Sequence, residues 1–147
     1  MKNIIKFLSV IALFAAVLSC KKEPKADKSV AGEWHLIEMT DMSSLPQVYI
    51  TLAEDKTFDL YQKLGEGRYR RHTGTYTYSN RILDGKYSDN SPWGSSYEVS
   101  FDGEILVLTA QNGTSEVTRY EKKALSATDK ADAELVTKSV EDGPRFF

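Results

Sequence analysis

Between residues 31 and 122 the chain alternates apolar and polar side chains in short runs that stop at turn-forming residues. Alternation at period two places every second side chain on one face of an extended strand, so each run buries one face and wets the other. The pattern is clearest at Val48/Ile50/Leu52, at Phe58/Leu60 and at Tyr97/Val99/Phe101. Eight segments read this way: residues 33–40, 47–53, 57–63, 68–78, 81–87, 95–101, 104–110 and 114–122. Their β-branched and aromatic residues suit a pleated, half-buried surface. The connectors explain the stops. Ser79-Asn80, Asp102-Gly103 and Asn112-Gly113 are tight-turn pairs, Glu54-Asp55-Lys56 is a polar hairpin tip, and Gly65-Glu66-Gly67 supplies positive φ. No stretch of this region carries helical periodicity. The expected class is all-β.

Eight hairpin-linked strands leave two outer edges, which a fold must close or cover. An up-and-down barrel does this by closing, a sandwich by folding over. Short connections favour the eight-stranded antiparallel barrel, because a Greek key needs a long crossing link and residues 88–94 are the one candidate for it. Beyond the strands the character changes. Residues 128–136 begin with capping and acidic types and continue with helix formers, placing Ala131, Leu135 and Val136 on one stripe. A short helix or a frayed tail is expected over residues 124–147, ending in Phe146-Phe147, which either docks or stays loose.

Cys20 is the only cysteine. Ahead of it stand Lys2 and Lys6, an apolar run over residues 7–18, and Ser19, which is the order of an export signal. The run falls short of the roughly 20 apolar residues of a membrane span. An uncleaved anchor is the alternative; either way the chain is tethered to a membrane. Val17-Leu18-Ser19-Cys20 resembles the lipobox of bacterial lipoproteins, with Leu18 bulkier than the usual residue there. That resemblance implies a leader over residues 1–19, cleaved ahead of an acylated Cys20. Each buried acyl CH₂ contributes about 0.8 kcal/mol, so several chains on one cysteine hold firmly. Residues 20–30, charged and without large apolar groups, read as a flexible tether, with the domain over residues 31–123. Lys21-Lys22-Glu23 is not the acidic run some surface lipoproteins carry, so the expected place is the cell envelope, on the outer membrane facing the periplasm, with surface exposure left open.

Removing the leader takes Lys2 and Lys6 but no acid, moving the formal charge from −2 to −4. A mildly acidic domain has no electrostatic case for nucleic acid. With its one cysteine acylated, the chain forms no internal disulfide, and its core must hold the fold unaided.

The first strand opens with Gly32-Glu33-Trp34, which resembles the Gly-x-Trp motif of lipocalins, and Arg119 lies on the last strand, where lipocalins place an arginine across that tryptophan. The chain is most similar to short lipocalin-like lipoproteins of Gram-negative envelopes. Supporting pieces are Val48-x-Ile50-x-Leu52-x-x-Asp55-x-Thr57-Phe58-x-Leu60, Gly74-Thr75-Tyr76, Tyr97-x-Val99-x-Phe101-x-Gly103-x-x-Leu106-x-Leu108 and Arg119-Tyr120, in that order over residues 31–122. The Thr-Asp-Tyr motif of larger lipocalins is absent, and Asp55-Lys56 replaces the usual Asp-Gly turn. The resemblance implies a barrel that takes a small hydrophobic or amphipathic ligand, contacted by Trp93, Tyr76, Tyr97 and Phe101, with Gly32, Trp34 and Arg119 structural.

Enzyme chemistry finds little footing. No thiol is left for nucleophilic work, and the two histidines lack metal-ligand spacing. Carboxylates are scattered, Asp55 and Asp102 in turns, Glu38 and Asp59 on polar strand sides, and no glycine loop precedes a helix. No metal, no cofactor and no catalytic residue is expected. His35 points away from the Trp34 face. Arg68, Arg70 and His72 share one face, either a solvated edge or an attractor of anions. Two interiors remain open, a packed core and a pocket for one small ligand. Trp93, between Pro92 and Gly94, either lines the barrel mouth or folds back as a plug. A packed interior would fit a second function, an envelope protein that meets a protein or glycan partner through the Arg68–His72 stripe and Phe146-Phe147.

Overall fold

A computed structural model of the chain describes residues 27–137 and 145–147. The leader and Cys20 lie outside the described residues. Eight antiparallel strands follow in chain order: β1 (Gly32–Met39), β2 (Gln47–Leu52), β3 (Thr57–Lys63), β4 (Arg70–Ser79), β5 (Ile82–Tyr87), β6 (Tyr97–Asp102), β7 (Ile105–Ala110) and β8 (Val117–Lys122). Each pairs with the next, and β1 pairs with β8, so the ladder closes into an up-and-down barrel. The barrel, not the sandwich, is the architecture.

Alternation does what the sequence requires of it. Val48, Ile50 and Leu52 of β2 face inward against Leu60 and Phe58 of β3, all buried. The β4–β5 hairpin turns on Asn80 and Arg81, both at positive φ (51° and 64°), with Ser79 paired to Ile82. That two-residue geometry matches the right-handed twist of the flanking strands. A register shift between Leu36 and Glu38 bulges β1 against β8 and turns Ile37 to solvent.

The β5–β6 seam is the thinnest, with two registered pairs, Ile82 with Glu98 and Leu83 with Tyr97. The connecting loop mends it. Its chain doubles back along β5: the Tyr87 N–H donates to the Ser91 carbonyl (2.8 Å), Pro92 bridges Lys86, and the Trp93 N–H donates to the Gly85 carbonyl (3.0 Å).

After β8 the chain forms α1 (Ala127–Asp132), capped reciprocally. The Asp129 N–H donates to the Ser126 hydroxyl, which itself donates to the Asp129 carboxylate. The helix stops earlier than its sequence suggests. Ala133 is extended, and Glu134–Leu135 forms β9, parallel to Arg70 and Arg71 of β4. Leu135 is therefore a strand residue, Val136 follows it with its N–H donating to the Arg71 carbonyl (2.9 Å), and neither shares a helical stripe with Ala131. The uncovered edge of β4 wins over local helix propensity, as tertiary context often does. Ion pairs from Lys130 to Glu33 and from Arg68 to Asp132 (3.4 Å) hold α1 on the outer wall.

The ordered domain also starts before residue 31. Val30 is buried, its carbonyl accepts the Trp34 indole N–H (2.9 Å), and the Lys28 ammonium donates to the Gly103 carbonyl (2.8 Å). Residues 28–30, expected as tether, are docked. Connectivity puts the β2–β3, β4–β5 and β6–β7 turns and Lys28 at one pole, and the β1–β2, β3–β4 and β5–β6 loops at the other. The second pole is the mouth.

Candidate functional site at the barrel mouth

Tyr87 of β5, Trp93 of the β5–β6 loop and Tyr97 of β6 turn their rings inward towards Phe58 of β3, and what lies among them is Phe147. Its ring stacks on the Trp93 indole at 4.3 Å and 18°, and meets Tyr97 edge-on at 5.6 Å and Phe58 at 6.4 Å. Trp93 in turn stands edge-on to Phe58 at 5.2 Å. Offset and edge-to-face aromatic pairs add roughly 0.5–1.5 kcal/mol beyond area burial. Trp93, 5% exposed, is thus core, and its Pro92-Trp93-Gly94 setting does not keep it at the surface. Gly85 makes this possible: a Cβ there would stand 2.6 Å from the indole. The Trp93 Nε1–H is buried without an acceptor among the described residues.

The two residues before Phe147 complete the closure. Arg145 lays its guanidinium on the Tyr87 ring, 4.1 Å from the centroid. Its Nη2 donates to Asp89 Oδ2 (3.0 Å) and its Nη1 to Ser91 Oγ (2.9 Å). The pair is largely shielded from water, with 12% and 17% of the two side chains exposed. The Tyr87 hydroxyl donates to the Phe147 main-chain oxygen (2.9 Å), so one tyrosine offers its face to a cation and its hydroxyl to a backbone. Phe146 packs at the rim, where Leu45, Pro46, Leu64 and Tyr69 share with it an open groove of about 890 Å³.

Electrostatics follow from these contacts. The Asp89 carboxyl is held well below the usual carboxylate range, first by the Ser91 hydroxyl, then by the Ser91 N–H and by Arg145. Burial raises the Tyr87 phenol against the opposing pull of Arg145, pushes Tyr97 up to about 12, and raises Tyr120. Gln62 and His72 add buried polar groups to the interior, His72 with its ring 6.0 Å from Tyr87.

The four residues expected to contact ligand divide between two regions. Trp93 and Tyr97 converge at the mouth. Tyr76 and Phe101 serve the far pole, where the Tyr76 hydroxyl donates to the Ala53 carbonyl (2.6 Å) and Phe101 lies against Trp34 under the Lys28 ammonium. Gly32 begins β1 beneath the Trp34 indole as expected. Arg119 does not cross Trp34. It points outward to Glu38 and Asp102, and Lys122 takes the place over the indole, 5.8 Å from its ring. His35 lies on the outer face, stacked on Tyr49 and bonded to Glu121 (2.9 Å). His72 is a correction: it faces the interior, 1% exposed, so Arg68, Arg70 and His72 form no surface stripe. Its parity with Gly74 and Tyr76 on the same strand carried that information. Phe58 and Tyr87 were visible as inward aromatics or strand ends, whereas Asp89, Ser91 and Arg145 had no local signature linking them.

Among the described residues, no three His, Cys, Asp or Glu side chains gather as a metal site, and no helix is long and apolar enough to cross a membrane. The sequence matches no protein-family model and no curated protein.

Proposed function

We propose that the protein is a non-enzymatic, lipocalin-like envelope lipoprotein, anchored through Cys20, that takes a small hydrophobic or amphipathic ligand into the mouth of its barrel. One observation carries the reading. The aromatic recess of Phe58, Tyr87, Trp93 and Tyr97 is filled by Phe147, a side chain from outside the eight-stranded wall. A wall that closed its own interior would need no such occupant. Concave, aromatic-lined recesses with a few fixed polar groups are the usual form of a small-molecule site. The competing reading, a filled barrel recognised through its surface, keeps fewer of its named contacts: His72 and Phe147 are buried and Phe146 is partly so, while Arg68 stays exposed.

Tryptophan fluorescence titrated with fatty acids, sterols and hydrophobic dyes tests the ligand, using the natural chain and Phe147→Ala side by side. Quenching by at least one class, stronger in the variant, is expected. A flat response from both folded proteins ends the proposal. Labelling with a radioactive fatty acid tests the anchor, and label retained by Cys20→Ala ends that part.

A further inference from the structure

The tail shows what chemistry the mouth accepts. Its cation site is shaped by hydrogen bonds made within the β5–β6 loop itself. Asp89 Oδ1 accepts both the Ser91 N–H (2.9 Å) and the Ser91 hydroxyl, which fixes the carboxylate and leaves Oδ2 directed at the guanidinium. Asn90 at φ 67°, its N–H donating to the Tyr87 carbonyl (2.9 Å), holds that loop shape. The Tyr87 ring supplies the second wall of the cation site and the Ser91 hydroxyl the third contact. Two residues along the chain, the aromatic recess receives a ring, and the Tyr87 hydroxyl reads the backbone oxygen beside it. A fixed carboxylate, an aromatic face, a hydroxyl donor to a main-chain oxygen and a ring pocket together specify more than greasiness.

Building on the ligand-binding reading, we infer that the mouth is a recognition site for a short extended peptide segment carrying an arginine or lysine two residues before an aromatic ring. Arg145-Phe146-Phe147 is its resident occupant in cis. A resident segment acts at a high effective concentration, in the millimolar range for short connections, so an incoming segment must displace it. The tail is then a competitive guard. It admits segments that reproduce both its charge and its ring, and it holds off apolar molecules that offer the ring alone. Exchanging the cation for an anion sets like charges against Asp89, which is how the site discriminates.

The test uses the full chain carrying Arg145→Ala and Phe147→Ala together, which empties both subsites, and the probe acetyl-Arg-Phe-Phe-amide. Titration followed by calorimetry and Trp93 fluorescence should give one-to-one binding, at least about tenfold tighter than acetyl-Glu-Phe-Phe-amide, since a charge-assisted contact is lost and a repulsion gained. Adding Asp89→Asn should erase that preference. The natural chain should bind the same probe about tenfold more weakly or worse. Equal affinity for the two peptides, or equal affinity of the natural and emptied chains, overturns the inference. If the emptied chain takes up neutral dyes but ignores peptide charge, ligand binding stands and this inference falls; if it takes up neither, both fall. Should the double variant fail to fold, Arg145→Ala alone keeps the ring in place. Ethylguanidinium must then occupy the vacated cation site and lose that site on Asp89→Asn; absence of this binding is equally decisive.

Discussion

The indole of Trp93 and the ring of Phe147 lie face to face, centroids 4.3 Å apart and planes 18° from parallel, although 54 residues separate them in the chain. The contact joins the loop that mends the β5–β6 seam to the segment that fills the mouth. The loop and the tail are thereby packed on one another, and the first prediction follows.

Phe147→Ala removes the buried ring while leaving the wall intact. The expected loss is about 2 kcal/mol of unfolding free energy, near the middle of the range for burying a phenylalanine. Urea denaturation gives the magnitude, and the Trp93 emission shifts to the red as water reaches the recess. An unchanged midpoint would show that the ring is not held there in solution.

Gly85→Ala should be costly and Gly94→Ala mild. A Cβ on Gly85 meets the Trp93 indole at 2.6 Å and the Thr75 carbonyl at 2.8 Å, whereas on Gly94 the nearest heavy atoms are 4.0 Å away. Overpacking of this kind costs about 1–3 kcal/mol. The comparison isolates the indole seat, because both glycines flank the same loop. Thermal melts of the two variants decide it.

Alkali should unfold the barrel through its buried phenols. Tyr87, Tyr97 and Tyr120 are all raised from 10.0 by burial, Tyr97 to about 12. Unfolded tyrosines release protons from about pH 10 while the folded ones keep theirs, so the unfolded state binds fewer protons there and stability falls as pH rises. Below pH 10 the contribution is complete. Tyr97→Phe should flatten part of the alkaline limb seen by circular dichroism against pH.

Acid should release the tail late. The Asp89 carboxyl lies below its ordinary 3.8, chiefly through the Ser91 hydroxyl. As pH falls the undocked carboxyl takes up a proton first, so docking is fully supported above about pH 5 and fades as pH drops through the lowered value. Trp93 fluorescence should stay level from neutrality to about pH 5 and change only in stronger acid. Ser91→Ala, which removes the leading cause, should move that change to higher pH.

The eight strands were legible because alternation and turn chemistry are local, and their bounds shift by only a few residues between sequence and structure. The mouth was not. Trp93 between proline and glycine reads locally as a loop residue, and the space that accepts it comes from Gly85, which the returning chain brings opposite. Asp89 and Arg145 stand 56 residues apart, and only the Asx-turn pattern of Asp89-Asn90-Ser91 hints that a carboxylate is being fixed. The helix overrun had the same root. Glu134 and Leu135 favour a helix until the edge of β4 offers them backbone partners, and no local pattern reports an edge left uncovered. Arg119 and Lys122 differ by three positions on one strand, an odd number, so parity alone separates the residue facing out from the one over Trp34.

The Lys28–Gly103 contact fixes where the amino-terminal strap leaves the barrel. The amino-terminal strap leaves beside the β6–β7 turn, the pole opposite the opening. With Cys20 acylated as proposed, the anchor would join the domain from the side away from the opening.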